Sequence, residues 1–341
     1  MTRVLQTMAG AAHGGAEAFF TRLVVALAHA GLDQHAVVRP DKARIDSLRQ
    51  AGVPITEARF GGPLDLRSGR QLGREIARFK PDVVLSWMHR ATRACPPGEY
   101  VHCARLGGYY KLKNYRQCDH LIGNSHGIVD YLNDQGWPAE RTHYLPNFVS
   151  GETATALDRA EFDTPDDAPL LLALGRLHEN KAFDVLIEAL AALPDAYLWL
   201  AGSGPLAGEL SALADRRGVS HRLRMLGWRD DVAALFAAAD ALVCPSRHEP
   251  LGNVVIEAWA QRVPVVAVAT GGPAELIDDG VSGLLAPLDD AAGLSAAIAQ
   301  WLDDQGLAKR RAEAGHAAYE AHFTEAMVVR RYMEFFDKVA A

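Results

Sequence analysis

The sequence predicts an α/β protein built as two doubly wound domains facing a cleft, each a parallel sheet wrapped by helices. Three observations point there. Short apolar runs alternate with helical patterns along the chain, the sign of parallel βαβ units. That series is interrupted by the polar run from Ser150 to Ala168 and then begins again. A length of 341 residues favours two hydrophobic cores over one.

In the first half, Arg3-Val-Leu-Gln-Thr reads as a strand, followed by the glycine loop Ala11-Ala-His-Gly-Gly and an amphipathic helix from about Ala16 to His29. Strands follow at Gln34–Val38, Asp82–Ser86, Val101–Leu106 and His120–Asn124, with a helix over Ser68–Phe79 ended by Pro81. In the second half, strands are expected at Leu170–Gly175, Tyr197–Gly202, Leu223–Gly227, Ala241–Cys244 and Pro264–Val268. Helices are expected over Ala182–Ala192, Pro205–Arg217, Val254–Arg262 and the Ala-rich stretch from Asp290 to Val339. The domains run from 1 to 149 and from 150 to 323. The final helix, 324–341, carries the apolar stripe Met327, Val328, Val329, Tyr332, Phe335 and Phe336, which fits a return onto the first domain.

Composition narrows the function. Hydrophobic residues make up 49% and charged residues 23%, the balance of an ordinary globular protein. A net charge of -7 argues against a nucleic-acid partner. No apolar run reaches bilayer length, and the N-terminus reads as a first strand rather than a secretory signal. Cys95, Cys103, Cys118 and Cys244 form no Cys-x-x-Cys pair, which suits reduced thiols in the cytoplasm, and no metal site is expected.

The chemistry concentrates between Pro245 and Glu257, in Pro-Ser-Arg-His-Glu-Pro-Leu-Gly-Asn-Val-Val-Ile-Glu. A strand precedes it and a helix follows, with Gly252 or Asn253 as cap. Glu249 then lies in the strand-to-helix loop and Glu257 about one turn into the helix. The N–H groups at such a helix start suit an anion. Two carboxylates beside an anion site fit a ligand carrying both phosphates and hydroxyls, such as a nucleotide sugar. Alone, the pair would read as capping or solvated groups; other segments give it weight. Leu174-Gly-Arg-Leu-His-Glu-Asn-Lys places Arg176 and Lys181 on a loop entering a helix, a pair suited to a diphosphate. Gly202 opens the glycine-rich turn Ala201-Gly-Ser-Gly-Pro, and Trp228 follows a strand end, as a wall for a nucleobase or as packing.

Taken in order, Gly-Arg-x4-Lys, Gly-x-Gly-Pro, Leu-Gly, Pro-Ser-x-x-Glu-Pro-x-Gly-x-Val-x-x-Glu-Ala, Pro-Val-Val-Ala and Gly-Gly resemble glycosyltransferase family 4. These are retaining enzymes of GT-B fold, with two Rossmann-like domains. The resemblance implies an N-terminal acceptor-binding domain and a C-terminal domain for the nucleotide-sugar donor, a UDP-sugar favoured, with no cofactor. It implies that Arg176 and Lys181 hold the diphosphate and that Glu249 orients the donor sugar as the catalytic carboxylate. It also implies that Leu251, Gly252 and Asn253 meet sugar and phosphate through their backbone, that Glu257 binds the ribose, and that Gly14 and Gly15 approach the phosphates. Many members carry a His near the end of the fourth N-terminal strand; Gly107 falls about there. His89, Tyr109, Lys111 and Asn124 are the acceptor-side candidates. Arg105, Tyr109, Tyr110, Lys111, Lys113, Tyr115 and Arg116 interleave basic and aromatic residues, which suits an anionic membrane face. The expected acceptor is therefore a glycan or glycolipid of the cell envelope, such as lipopolysaccharide, reached from the cytoplasm at the inner face of the membrane. A nucleotide-sugar epimerase or phosphorylase of the same fold, and a non-catalytic sugar-nucleotide-binding subunit, are the competing readings.

Overall fold

The computed structural model describes residues 2–11, 14–61 and 65–341; Ala12 and His13 of the expected glycine loop lie outside them. The chain divides into two compact units, Met1–Phe148 with Glu325–Ala341, and Val149–Thr324.

In the first unit, seven strands among the described residues are β1 (Arg3–Met8), β2 (Asp33–Val38), β3 (Ile55–Glu57), β4 (Val83–Trp87), β5 (Val101–Leu106), β6 (His120–Gly123) and β7 (Thr142–Tyr144). All pair in parallel, in the order β3-β2-β1-β4-β5-β6-β7. The order reverses between β1 and β4, so the crevice of a doubly wound sheet opens at their carboxyl ends. Helices α1 (Gly15–His29), α2 (Lys42–Gln50), α3 (Leu66–Phe79), α4 (Met88–Ala94) and α5 (His126–Asp134) connect them. Asp41 and Ser125 cap α2 and α5 by accepting from Arg44 N and Ile128 N. The strand β4 is buried end to end, as a strand covered on both faces must be.

The second unit holds β8 (Leu170–Leu174), β9 (Tyr197–Ala201), β10 (Leu223–Gly227), β11 (Ala241–Cys244), β12 (Val265–Val268) and β13 (Leu284–Ala286), parallel in the order β10-β9-β8-β11-β12-β13. Here the reversal lies between β8 and β11. Its helices are α6 (Phe183–Leu190), α7 (Ala207–Arg216), α8 (Val232–Ala238), α9 (Asn253–Ala260), α10 (Gly271–Leu276), α11 (Ala291–Asp303) and α12 (Gln305–His322). Two cores cover the sheet's faces. Leu186, Leu190, Leu210 and Ile298 fill one, and Phe236, Ile256, Trp259 and Phe323 fill the other.

The last helix, α13 (Glu325–Ala340), belongs to the first unit, where Val328, Tyr332, Phe335 and Phe336 are buried with Phe19, Phe20, Leu23 and Trp87. Phe19 and Phe20 meet Trp87 at ring distances of 6.0 and 5.3 Å. His102 is 5% exposed and bonds Ser86 Oγ at 2.9 Å. Burial lowers its pKa to about 4, so the ring is neutral at neutral pH. The four cysteines are buried and free.

Candidate active site

Apart from Gly14 and Gly15, the predicted donor residues lie in the second unit, after the carboxyl ends of β8, β9 and β11. The chain turns at Gly175, whose φ of +150° few side chains tolerate. Leu177 then bonds the neighbouring loop, N–H to Ser203 O at 3.0 Å. A short turn, Glu179–Lys181, is capped by the His178 ring and leads into α6 through Ala182 in the left-handed conformation. This path carries Lys181 back across Gly175, where a Cβ would stand 3.2 Å from Lys181 Cε. The lysine ammonium donates to Glu249 Oε2. Their side chains are 23% and 14% exposed. Burial pulls the Lys181 pKa down, but the charges of Glu249 and Glu257 and the hydrogen bond to Glu249 outweigh it, and the net shift is upward. Lys181 therefore stays a cation.

Glu249 is fixed from several sides. Ser246 Oγ lies 3.4 Å from its Oε2, and the Glu249 carbonyl accepts from Gly272 N at 2.7 Å. Thr270 Oγ1 donates to Ser246 O at 2.8 Å. Gly271 and Gly272 are required by contact, since a Cβ on either would lie 2.4 Å from Glu249 O or 1.9 Å from Leu251 O. Arg247 ties the two loops together, with a fork on Asp184 at 2.9 and 2.7 Å, an ion pair to Asp289 and a bond to Glu179 O at 3.1 Å. Gly252, at φ +89°, is the N-cap residue of α9 and brings no side chain to its first turn. Its first-turn N–H groups and dipole therefore favour a negative ligand. Leu251 is buried, whereas Asn253 and Glu257 are half-buried.

Two features refine the sequence reading. Arg176 and Lys181 are not an equivalent pair: Arg176 is exposed and has no ion pair among the described residues, while Lys181 is already held by Glu249. Trp228 is not core packing. It is 68% exposed beside the Gly202–Gly227 backbone bond of 2.7 Å, with its indole N–H on Asp230 at 2.9 Å.

In the first unit, Gly14 precedes α1 and Gly15 opens it, both exposed. A Cβ on Gly10 or Gly14 would meet the buried Glu17 carboxylate, which accepts from Ala11 N at 2.8 Å. His89 is exposed on α4, in a pocket of about 230 Å³ shared with Phe60, Ser68, Arg90 and Arg93. Tyr109 is 41% exposed and Lys111 is exposed, whereas Asn124 is 6% exposed at the end of β6. Arg105 and Tyr115 do not belong to an interfacial surface. They are 3% and 0% exposed, because β5 turns Arg105 inward between Phe19 and Trp87 and Tyr115 packs among Leu121, Ile128 and Leu132. A different basic surface escaped the sequence reading: Arg67, Arg70, Arg74 and Arg78 recur along the outer side of α3, all exposed, next to exposed Arg90 and Arg93 on α4. Their three- and four-residue spacing was the available signal.

Comparison with known proteins identifies the family and the fold. Residues 13–152 match the model of Glycosyltransferase Family 4, and residues 155–320 match that of Glycosyl transferases group 1. The chain is 39% identical over 326 residues to the lipopolysaccharide core biosynthesis glycosyltransferase LpsE of Rhizobium meliloti, covering 94% of this chain and 95% of that one. It is 32% identical to LpsD of the same organism, with 96% of each covered. The Anabaena HepE structure, solved with UDP and glucose, superposes with a TM-score of 0.83 at 21% identity, covering 99% of this chain and all of that one. Two parallel sheets with interleaved helices, reversing order at the carboxyl ends where the motifs lie, form a GT-B fold of two Rossmann-like units, and the chain belongs to the family 4, group 1 glycosyltransferases.

Proposed function

We propose that this enzyme moves a sugar from a nucleoside diphosphate sugar, with uridine as the favoured base, to a hydroxyl of a lipopolysaccharide core or related envelope glycan, with retention of anomeric configuration. The second unit takes the donor and the first the acceptor. The observation that carries the donor half is the Lys181–Glu249 pair in the loop that leads to the start of α9. One cation and one helix N-terminus serve the diphosphate there, and one carboxylate serves the sugar. Trp228 offers an exposed ring for the base. The UDP bound to HepE and the naming of LpsE and LpsD support the donor and acceptor classes.

In this reading the bond between the anomeric carbon and the diphosphate oxygen breaks as the acceptor oxygen approaches from the same face. The leaving diphosphate takes the acceptor proton. Arg176, Lys181 and the α9 N-terminus stabilise its growing charge, so no metal is called upon. Glu249 and the backbone from Leu251 to Asn253 orient the sugar, Glu257 holds the ribose, and Gly14 and Gly15 give the phosphates close backbone approach. Incubation with a panel of UDP-sugars, with and without acceptor and in the presence of a chelator, tests this. Slow donor hydrolysis that acceptor accelerates, giving an anomer of unchanged configuration by NMR, is the expected result. An inverted product, or loss of activity on chelation, would overturn the corresponding part.

We place the protein at the cytoplasmic face of an anionic membrane, through the arginine stripe of α3 and α4 together with exposed Tyr109, Tyr110, Lys111 and Lys113. No helix among the described residues is long and apolar enough to cross a membrane. Each basic contact contributes about 1 kcal/mol, screened by salt. Arg70→Glu with Arg74→Glu should therefore reduce sedimentation with phosphatidylserine vesicles by roughly tenfold or more. Absence of wild-type binding at low salt would sink the membrane contact and leave the donor chemistry intact.

A further inference from the structure

Arg105 is a buried cation without a counter-anion. It is 3% exposed at the carboxyl end of β5, and no carboxylate pairs with it among the described residues. Its guanidinium lies over the Phe19 and Trp87 rings at 4.7 and 4.6 Å. Nε donates to the Tyr332 hydroxyl at 2.9 Å, and Nη2 donates to Asn147 Oδ1. These contacts hold the group rigid with no carboxylate among them, and burying a charge is unfavourable unless it is paired and hydrogen-bonded.

The remaining nitrogen, Nη1, faces a gap. A Cβ placed on Gly107 would lie 4.0 Å from Arg105 Nη1 and 3.9 Å from Asn124 Nδ2, with nothing else within 4 Å. Asn124 is 6% exposed and presents its Nδ2 to that space. Gly107 itself is half-buried, and exposed Tyr109 and Tyr110 follow it. Two N–H donors, one of them charged and held by Tyr332 and Asn147, thus face a space that exists because residue 107 has no side chain. A carboxylate or phosphate oxygen is the ligand that satisfies both the geometry and the charge.

We infer that Arg105, Asn124 and Gly107 form a subsite for an anionic oxygen group carried by the acceptor glycan, a carboxylate or a phosphate monoester. The inference rests on the proposed glycosyltransferase reading for the identity of the acceptor, but not for the existence of the anion site. Tyr109 and Tyr110 provide aromatic faces for the sugar ring that bears the group.

The test uses the full-length enzyme and core oligosaccharide from cells lacking it, in three forms: untreated, dephosphorylated and carboxyl-reduced. One treatment should lower wild-type kcat/KM at least about tenfold, mainly through KM. Arg105→Gln should lose a similar factor on the untreated acceptor, lose nothing further on the treated forms, and keep donor hydrolysis and UDP affinity unchanged. Equal use of all three forms by the wild type overturns the inference. So does a loss of UDP affinity in Arg105→Gln, which would assign the cation to the donor. Gly107→Asp gives an independent readout, because it builds a carboxylate into the gap. It should raise Tm by about 2 °C or more and abolish the preference among acceptor forms, with donor hydrolysis retained. A lowered Tm in that variant overturns the anion site whatever the reaction proves to be. A raised Tm in a protein that hydrolyses no donor would keep the anion site and sink the glycosyltransferase reading instead.

Discussion

Glu249→Gln should lower sugar transfer by roughly 100-fold or more while leaving UDP affinity unchanged or up to about tenfold tighter. The asymmetry follows from the ion pair. Glu249 neutralises Lys181 in the unliganded protein, so removing the carboxylate's charge frees the ammonium for the diphosphate. The same change turns one acceptor oxygen into an NH2 donor and removes the charge from the other, so sugar hydroxyls lose their orienting carboxylate. Lys181→Met should act in the opposite sense, weakening UDP by about 10- to 150-fold through loss of a charge-assisted contact worth about 1.5–3 kcal/mol. Glu257→Gln, addressed to the ribose, should weaken UDP as well. Calorimetric titration of UDP beside steady-state transfer rates decides the matter. If Glu249→Gln and Lys181→Met weaken UDP alike, the division of labour between them is wrong.

Gly202→Ala should be the most damaging small substitution in the second unit. The residue sits at φ +150°, and its Cβ would stand 1.8 Å from Gly175 O, a backbone atom that cannot swing aside. Its N–H also bonds Gly227 O at 2.7 Å. The added methyl must push apart the loops after β8, β9 and β10, at a cost of about 3 kcal/mol or more. A fall in Tm of at least about 6 °C, with loss of UDP binding even below the transition, is the expected result. Gly208→Ala, at an exposed helical site with nothing within 4 Å of the added carbon, is the control and should be neutral or slightly stabilising. A Gly202→Ala protein as stable as that control would refute the packing account.

Much of this arrangement was legible in the residues, and the failures have physical reasons. Strands such as Val83–Trp87, apolar except for Ser86, are buried on both faces, which makes them easy to recognise. By contrast β3, β7 and β13 have three residues each, too few to display any period. The glycines of the second unit announced close backbone approach, but not which atoms approach. That Lys181 crosses Gly175 to meet Glu249 depends on two loops brought together by β8 and β11. Arg105 failed for a related reason. A charged residue near tyrosines and lysines reads as surface, and only the convergence of Phe19, Trp87, Asn147 and Tyr332 from distant segments buries it.

The return of the chain to its first unit has a consequence for synthesis. Residues leave the ribosome in order, so α13 emerges after the whole of Val149–Thr324. At 5–20 residues per second that interval lasts roughly 9–35 s. Throughout it, Phe19, Phe20 and Leu23 on α1 lack the cover of Val328, Tyr332 and Phe336, and Arg105 lacks the Tyr332 hydroxyl. The second unit, contiguous in sequence, can close meanwhile. A nascent chain stalled at Thr324 would thus carry a finished second unit beside a first unit with an open apolar face, the state most prone to aggregate and most in need of a chaperone. The domain made first is the domain completed last.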